Sequence, residues 1–255
     1  MPYPHIGLEI RDKVAYITLK REPLNVLNIA MMKEINQALD TLAEEKDLAA
    51  LAFRAEGRAF SAGVDVGEHL GDQVHEMIEV FHGIFRRMDK LGLTSVAAVQ
   101  GAALGGGCEL AIYCDLVLAS SRAKFGQPEI QVGVFPPVAA LLMPRILGRK
   151  KALELILTGE TITADEAEKL GLVNEVYEPD VLNNEFEAIL DKLRRLSPIV
   201  LNTTRKAVLA GLQGQAETGL AAIEKIYFDE LMTTHDAEEG LKAFMEKRKP
   251  VWQNK

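Results

Sequence analysis

The chain has 255 residues, 48% of them hydrophobic and 26% charged, with a formal net charge of −8. That is length enough for one large core, too acidic for a nucleic-acid binder without a strongly basic face, and without any apolar run that approaches a membrane span. Cys108 and Cys114 are too few for a disulfide framework and read as reduced, small hydrophobes of a cytoplasmic protein, and the opening MPYPHIGLEIRD reads as no secretory signal.

In chain order, residues 7–20 predict two short strands around a turn at 11–13, the second apolar on at least one face. REPLNVLN, residues 21–28, is a turn-rich loop. Met31, Ile35, Leu39 and Leu42 recur at helical spacing and predict a helix over 30–47 whose outer face is net acidic. A buried strand over 49–55 turns at 56–58 into Phe60-Ser61-Ala62-Gly63-Val64-Asp65-Val66. A second long helix spans 72–91, with Val74, Ile78, Phe81 and Phe85 on its apolar face. His75, Glu79 and His82 share another face of it, but no H-E-x-x-H pattern is present, so they read as ordinary histidines and not as metal ligands.

The strand 95–99 then leads into QGAALGGGCELAIYCDLVLASSRAKFGQPEIQ, residues 100–131. A short apolar helix follows the glycines, over 109–113, and a buried strand spans 115–119. Helices are predicted over 137–147 and 150–157 with Gly148 between them. Thr163 and Glu166 form a capping box for a helix over 163–170, and one more strand covers 172–177. Beyond residue 181 only helical patterns remain, broken near Ser197-Pro198, at 211–214 and at Thr233-Thr234. Alternation of strands and helices to about residue 178 implies helices packed over mostly parallel strands.

The run Gly105-Gly106-Gly107 is not a dinucleotide fingerprint, because the third spaced glycine is missing and Glu109 in the first helical turn would repel a pyrophosphate. Strand, glycine turn and helix start together aim free N–H groups at whatever docks there. Ala62-Gly63-Val64 supplies a second such turn, so two backbone donors can converge on one oxygen. Glu109 and Glu129 lie in nearly uncharged surroundings, where a carboxylate needs a reason. A glycosidase pair is disfavoured by the single Trp and 6% aromatics, and no G-x-S-x-G nucleophile is present.

Taken together, FSAGVD at 60–65, GAALGGGCEL at 101–110, FGQPE at 125–129, LTG at 157–159 with ADEAEKLGLV at 164–173, and FMEKRKP at 244–250 resemble the enoyl-CoA hydratase/isomerase (crotonase) family over nearly the whole chain. The resemblance implies an α/β fold, a crotonase-like spiral of β-β-α repeats with a helical C-terminal region. It divides the chain into a core carrying the active site (1–178) and a helical region (179–255) for oligomerisation and for completing the CoA site. It also implies a homo-oligomer, a trimer or dimer of trimers, acting on an acyl-CoA thioester with no cofactor beyond the coenzyme A of the substrate, no metal, no nucleic acid and no membrane.

By position, the N–H groups of Val64 and Gly106 would form an oxyanion hole for the thioester oxygen. Ala62, Asp65, Val66 and Gly105 would contact substrate or CoA. Glu109 and Glu129 match the two glutamates of the hydratases, implying Glu109 mainly at the water and Glu129 mainly at the α-proton. Having both favours hydration over two alternatives, an isomerase or C–C bond lyase of the same family and a non-catalytic binding or assembly module. The chain departs from the usual pattern in three places. Val64 replaces alanine, REPLNVLN is short, and GVFPPVAALLMPR replaces a glycine-rich run, which predicts a bulkier apolar wall around 135–139. GVDVGEH and GVFPPVA resemble hydratases of cyclic dienoyl-CoA thioesters in anaerobic aromatic breakdown.

Overall fold

The computed structural model describes residues 3–212, 225 and 227–255. Strands β1 (Ile6–Arg11) and β2 (Val14–Leu19) form an antiparallel hairpin, turned through Asp12 and Lys13 at positive φ. Helix α1 (Ile29–Leu42) starts where the Asn28 side chain accepts the Met31 N–H at 3.0 Å. It stops five residues before the predicted end. Residues 43–47 are all exposed, so between Leu42 and Leu48 no large apolar side chain ties another turn to the core.

Three chain segments then repeat one path: a strand, a short corner, a second strand, a helix. They are β3 (Ala50–Ala55), β4 (Ala59–Ser61) and α2 (Gln73–Leu91); β5 (Thr94–Val99), β6 (Ala102–Leu104) and α3 (Gly106–Tyr113); and β7 (Leu116–Ser120), β8 (Lys124–Gly126) and α4 (Pro137–Leu147), with α5 (Arg149–Thr158) following. Then come β9 (Thr161–Thr163), α6 (Ala164–Lys169), β10 (Glu175–Tyr177), α7 (Leu182–Arg194), α8 (Pro198–Gly211), a π turn at Tyr227–Leu231 and α9 (His235–Met245).

The first strand of each repeat joins a six-stranded sheet, β1-β2-β3-β5-β7-β10, parallel except for β1; the second joins a four-stranded sheet, β4-β6-β8-β9, parallel except for β9. The repeats are the expected spiral. Its corners stack so closely that a Cβ on Gly101 would stand 2.1 Å from the Arg58 carbonyl oxygen, which leaves glycine as the residue that fits.

Alternation along the central strands divides the core in two. Ala15, Ile17, Leu51, Phe53, Ala97 and Val99 face α1 and α2. Val14, Tyr16, Ala50, Ala52, Val96 and Ala98 face the other way, where Leu182, Phe186 and Leu190 of α7 cover them. The first helix beyond residue 181 therefore closes the sheet's second face.

The capping box is formed, with the Glu166 N–H on the Thr163 hydroxyl and the Thr163 N–H on the Glu166 carboxylate. Ser197 caps α8 ahead of Pro198, and the Thr234 hydroxyl accepts the Ala237 N–H at 3.1 Å at the start of α9, so both breaks fall at caps. The glycine break reaches Gly214, outside the described residues. Among the described residues no helix is long and apolar enough to cross a membrane.

Candidate active site

The small sheet delivers the site. Past β4 the chain turns at Gly63 (φ 106°), and residues 27 and 64 form a one-pair parallel bridge. In that bridge the Leu27 N–H donates to the Gly63 carbonyl at 2.9 Å and the Asp65 N–H donates to the Leu27 carbonyl at 3.0 Å. Alternation along an extended chain sends the intervening Val64 N–H to the opposite side, where it meets no acceptor among the described residues.

Past β6, Gly105 takes φ 50°, ψ −129°, and α3 begins at Gly106, three residues earlier than its apolar run suggested. The Gly106 N–H is thus one of the first-turn donors with no partner inside the helix. The two turns touch. A Cβ on Gly106 would lie 3.4 Å from the Val64 nitrogen, and one on Gly63 would lie 3.7 Å from the Gly106 nitrogen.

Past β8 comes the 3₁₀ helix Pro128–Val132, which carries Glu129. A Cβ on Gly105 would stand 2.5 Å from Glu129 Oε1, so the carboxylate rests against the bare Cα of that glycine. Glu129 Oε2 is buried with no hydrogen-bond partner. Burial pushes this carboxyl up to about 7.

Glu109, on α3, is only 2% exposed. Its Oε1 accepts the N–H groups of Val138 at 2.7 Å and Ala139 at 2.8 Å, the first turn of α4, where the helix dipole favours negative charge. Burial raises its proton affinity, the Ala139 amide lowers it, the neighbouring Glu129 charge raises it, and the Val138 amide lowers it; the outcome is also about 7. The clamp on Glu109 was not foreseen from sequence. Its partner lies 29 residues away, and the only local signal was Pro136-Pro137, which suits a helix start.

A cavity of about 550 Å³ gathers these groups: Ala62, Val64, Val66, Gly105, Gly106, Glu109 and Glu129 all line it. Asp65 does not. Its carboxylate accepts the Gly67 N–H at 2.9 Å and its carbonyl faces His69 Nδ1 at 3.0 Å, so it holds the 3₁₀ turn Val66–His69 in place. The wall predicted at 135–139 splits. Phe135, Pro136 and Pro137 line the cavity, whereas Val138 and Ala139 act on Glu109 through their amides. His69, Leu70 and Met77 also line it, and the helical face read as core packing gives it Val74, Ile78 and Phe81. Among the described residues no group of three or more His, Cys, Asp or Glu could hold a metal ion.

Two unpaired N–H donors near one point can stabilise an oxyanion. Two carboxyls whose affinities sit near neutrality can hold one proton between them, one accepting while the other donates.

Residues 9–255 match the family model described as enoyl-CoA hydratase/isomerase. A probable mitochondrial enoyl-CoA hydratase of Dictyostelium discoideum is 37% identical, over 97% of this chain and 90% of that protein. The cyclohexa-1,5-dienecarbonyl-CoA hydratase of Thauera aromatica is 36% identical, over 98% and 96%. The crystal structure of enoyl-CoA hydratase from Bacillus anthracis superposes with a TM-score of 0.93 at 31% identity, covering 98% of this chain and 100% of that one.

Proposed function

The chain belongs to the enoyl-CoA hydratase/isomerase family, and on that premise we propose that it adds water across a double bond of a cyclic dienoyl-CoA thioester. It is a carbon–oxygen lyase of the enoyl-CoA hydratase type. The observation that carries the mechanism is the meeting of two unpaired amides, Val64 and Gly106, with two carboxyls raised to about 7 on one cavity.

The thioester oxygen sits between the two N–H groups. Ionised Glu109, whose charge is favoured by the Val138 and Ala139 amides, takes a proton from water through its free oxygen. The hydroxide oxygen bonds to the β-carbon, the π electrons move onto the thioester oxygen, and the resulting enolate is held by the two donors, worth about 3 kcal/mol each. Protonated Glu129, which lacks amide donors of that kind, delivers its proton to the α-carbon as the carbonyl re-forms. Coenzyme A enters as part of the substrate, and the scheme needs no other group.

The cyclic acyl group is supported by the likeness to the Thauera hydratase and by the apolar lining that Val66, Leu70, Phe135, Pro136 and Pro137 give the cavity. Assembly as a trimer or dimer of trimers is supported by the exposed apolar side chains of Val208 on α8, Leu212 just past its end and Leu241 on α9, and light scattering on the purified chain tests it. Loss of the enoyl-thioester absorbance with crotonyl-CoA and with cyclohexadienecarbonyl-CoA tests the reaction. The expected result is turnover of both, with the higher kcat/KM for the ring. A higher value for crotonyl-CoA overturns the cyclic assignment, and silence with both overturns hydration.

A further inference from the structure

His69 has no part in the scheme above, yet it lines the cavity. Its Nδ1 lies 3.0 Å from the Asp65 carbonyl oxygen. A carbonyl only accepts, so Nδ1 carries the hydrogen, and in that tautomer Nε2 is the ring's acceptor. Nε2 has no hydrogen bond among the described residues. The turn that carries the ring is fixed from both sides. The Asp65 carboxylate takes the Gly67 N–H at 2.9 Å, and the Glu68 carboxylate takes the Ile29 N–H at 2.7 Å.

The lining that His69 shares is largely apolar and includes Val66, Leu70, Val74 and Ile78. The other polar side chains on the lining are Glu109, Glu129 and Gln131. The carboxyls are engaged by the chemistry, and the amide of Gln131, an exposed residue, donates to the Gly159 carbonyl at 3.3 Å. A plain hydrocarbon filling the cavity would strip water from the imidazole nitrogen and return nothing.

We propose that the cavity selects an alicyclic acyl group that already bears a hydroxyl away from the reacting carbons, and that His69 Nε2 accepts the hydrogen bond from it. This inference rests on the hydratase reading for the thioester end of the site and specifies the substrate class of that same site.

Calorimetric titration with inert saturated thioesters tests it apart from catalysis, using cyclohexanecarbonyl-CoA and its 2-, 3- and 4-hydroxy derivatives. The 3- or 4-hydroxy ligand is expected to bind at least about tenfold more tightly than the parent ring. In His69→Leu that preference falls to roughly twofold or less, and His69→Gln, which keeps an acceptor, restores part of it. Equal binding by the wild-type chain, a preference confined to the 2-hydroxy ligand (the position of the product's own hydroxyl), or an unchanged preference in His69→Leu overturns the proposal. A chain that shows the hydroxyl preference but hydrates no enoyl thioester overturns the hydratase reading alone. A chain that binds none of the thioesters overturns both.

Discussion

Five of the six strands in the large sheet run for five or six residues, whereas each strand of the small sheet has three. The long strands inside that sheet, β2, β3, β5 and β7, are packed on both faces, by α1 and α2 on one side and α7 on the other. The parallel short strands end early, and each end releases something into one cavity: the Val64 amide after β4, the Gly106 amide after β6, the Glu129 carboxyl after β8. Stability thus comes mainly from apolar area in one sheet, and the reactivity proposed above from backbone and carboxyl groups at the ends of the other. The two requirements conflict within a single layer, since burial without partners costs free energy; two layers joined by tight corners separate them.

Substitutions confined to one sheet should therefore change one property and spare the other. The largest effect on rate is expected from Glu109→Gln, which keeps an oxygen for the Val138 and Ala139 amides but cannot take a proton. Its kcat in the absorbance assay should fall about 10³-fold while the protein stays folded by circular dichroism. Gly105→Ala comes next. A Cβ there meets Glu129 Oε1 at 2.5 Å on a backbone at φ 50°, so Glu129 must move. A displacement of that kind should lower kcat by about 10²-fold. An unchanged rate in either variant would break the assignment of chemistry to the small sheet.

Phe186→Ala probes the other layer. Emptying a fully buried site on α7 should cost about 3–5 kcal/mol in denaturant unfolding, with kcat per folded molecule preserved. A large fall in kcat would show that the layers are coupled.

The carboxyls offer a test in which rate and stability move in opposite directions. Both Glu109 and Glu129 rise from 4.5 to about 7 on folding. The folded chain therefore binds more protons than the unfolded chain between roughly pH 4.5 and 7, and their contribution to stability is lost as pH rises through that window. Glu109→Gln carries no charge to bury, so at pH 8 it should be more stable than the parent by on the order of 2 kcal/mol, with no such gain at pH 4. A gain that is the same at both pH values would mean that the ionised carboxylate is not strained. The smallest effect is expected at the outer edge of the small sheet, where Thr163 ends β9 and caps α6: Thr163→Ala should cost about 1 kcal/mol through the lost cap, with kcat unchanged.

Much of the scaffold was legible residue by residue. The alternation at 14–19, the helical spacing from Met31 to Leu42, the Thr163–Glu166 box and the proline after Ser197 each describe a local preference that the fold kept. The two glycine turns and the two lone glutamates were legible for the same reason, since they break local rules that a packed core obeys. The small sheet was not. Runs as short as AFS, AAL, KFG and TIT are too brief to show a period of two, and they become strands only when the corners stack them.

The sequence by itself thus determined the helices, the long strands and the residues proposed to handle a proton or an oxyanion, because propensity, periodicity and side-chain chemistry are written within a few neighbouring positions. Only the tertiary structure decided that α4 turns its first amides onto Glu109, that Glu129 lies on the bare Cα of Gly105, that Asp65 holds a turn while His69 faces the cavity, and that α7 closes the large sheet. Those pairings join residues far apart in the chain, and burial and hydrogen-bond geometry choose among them only once the two layers have come together.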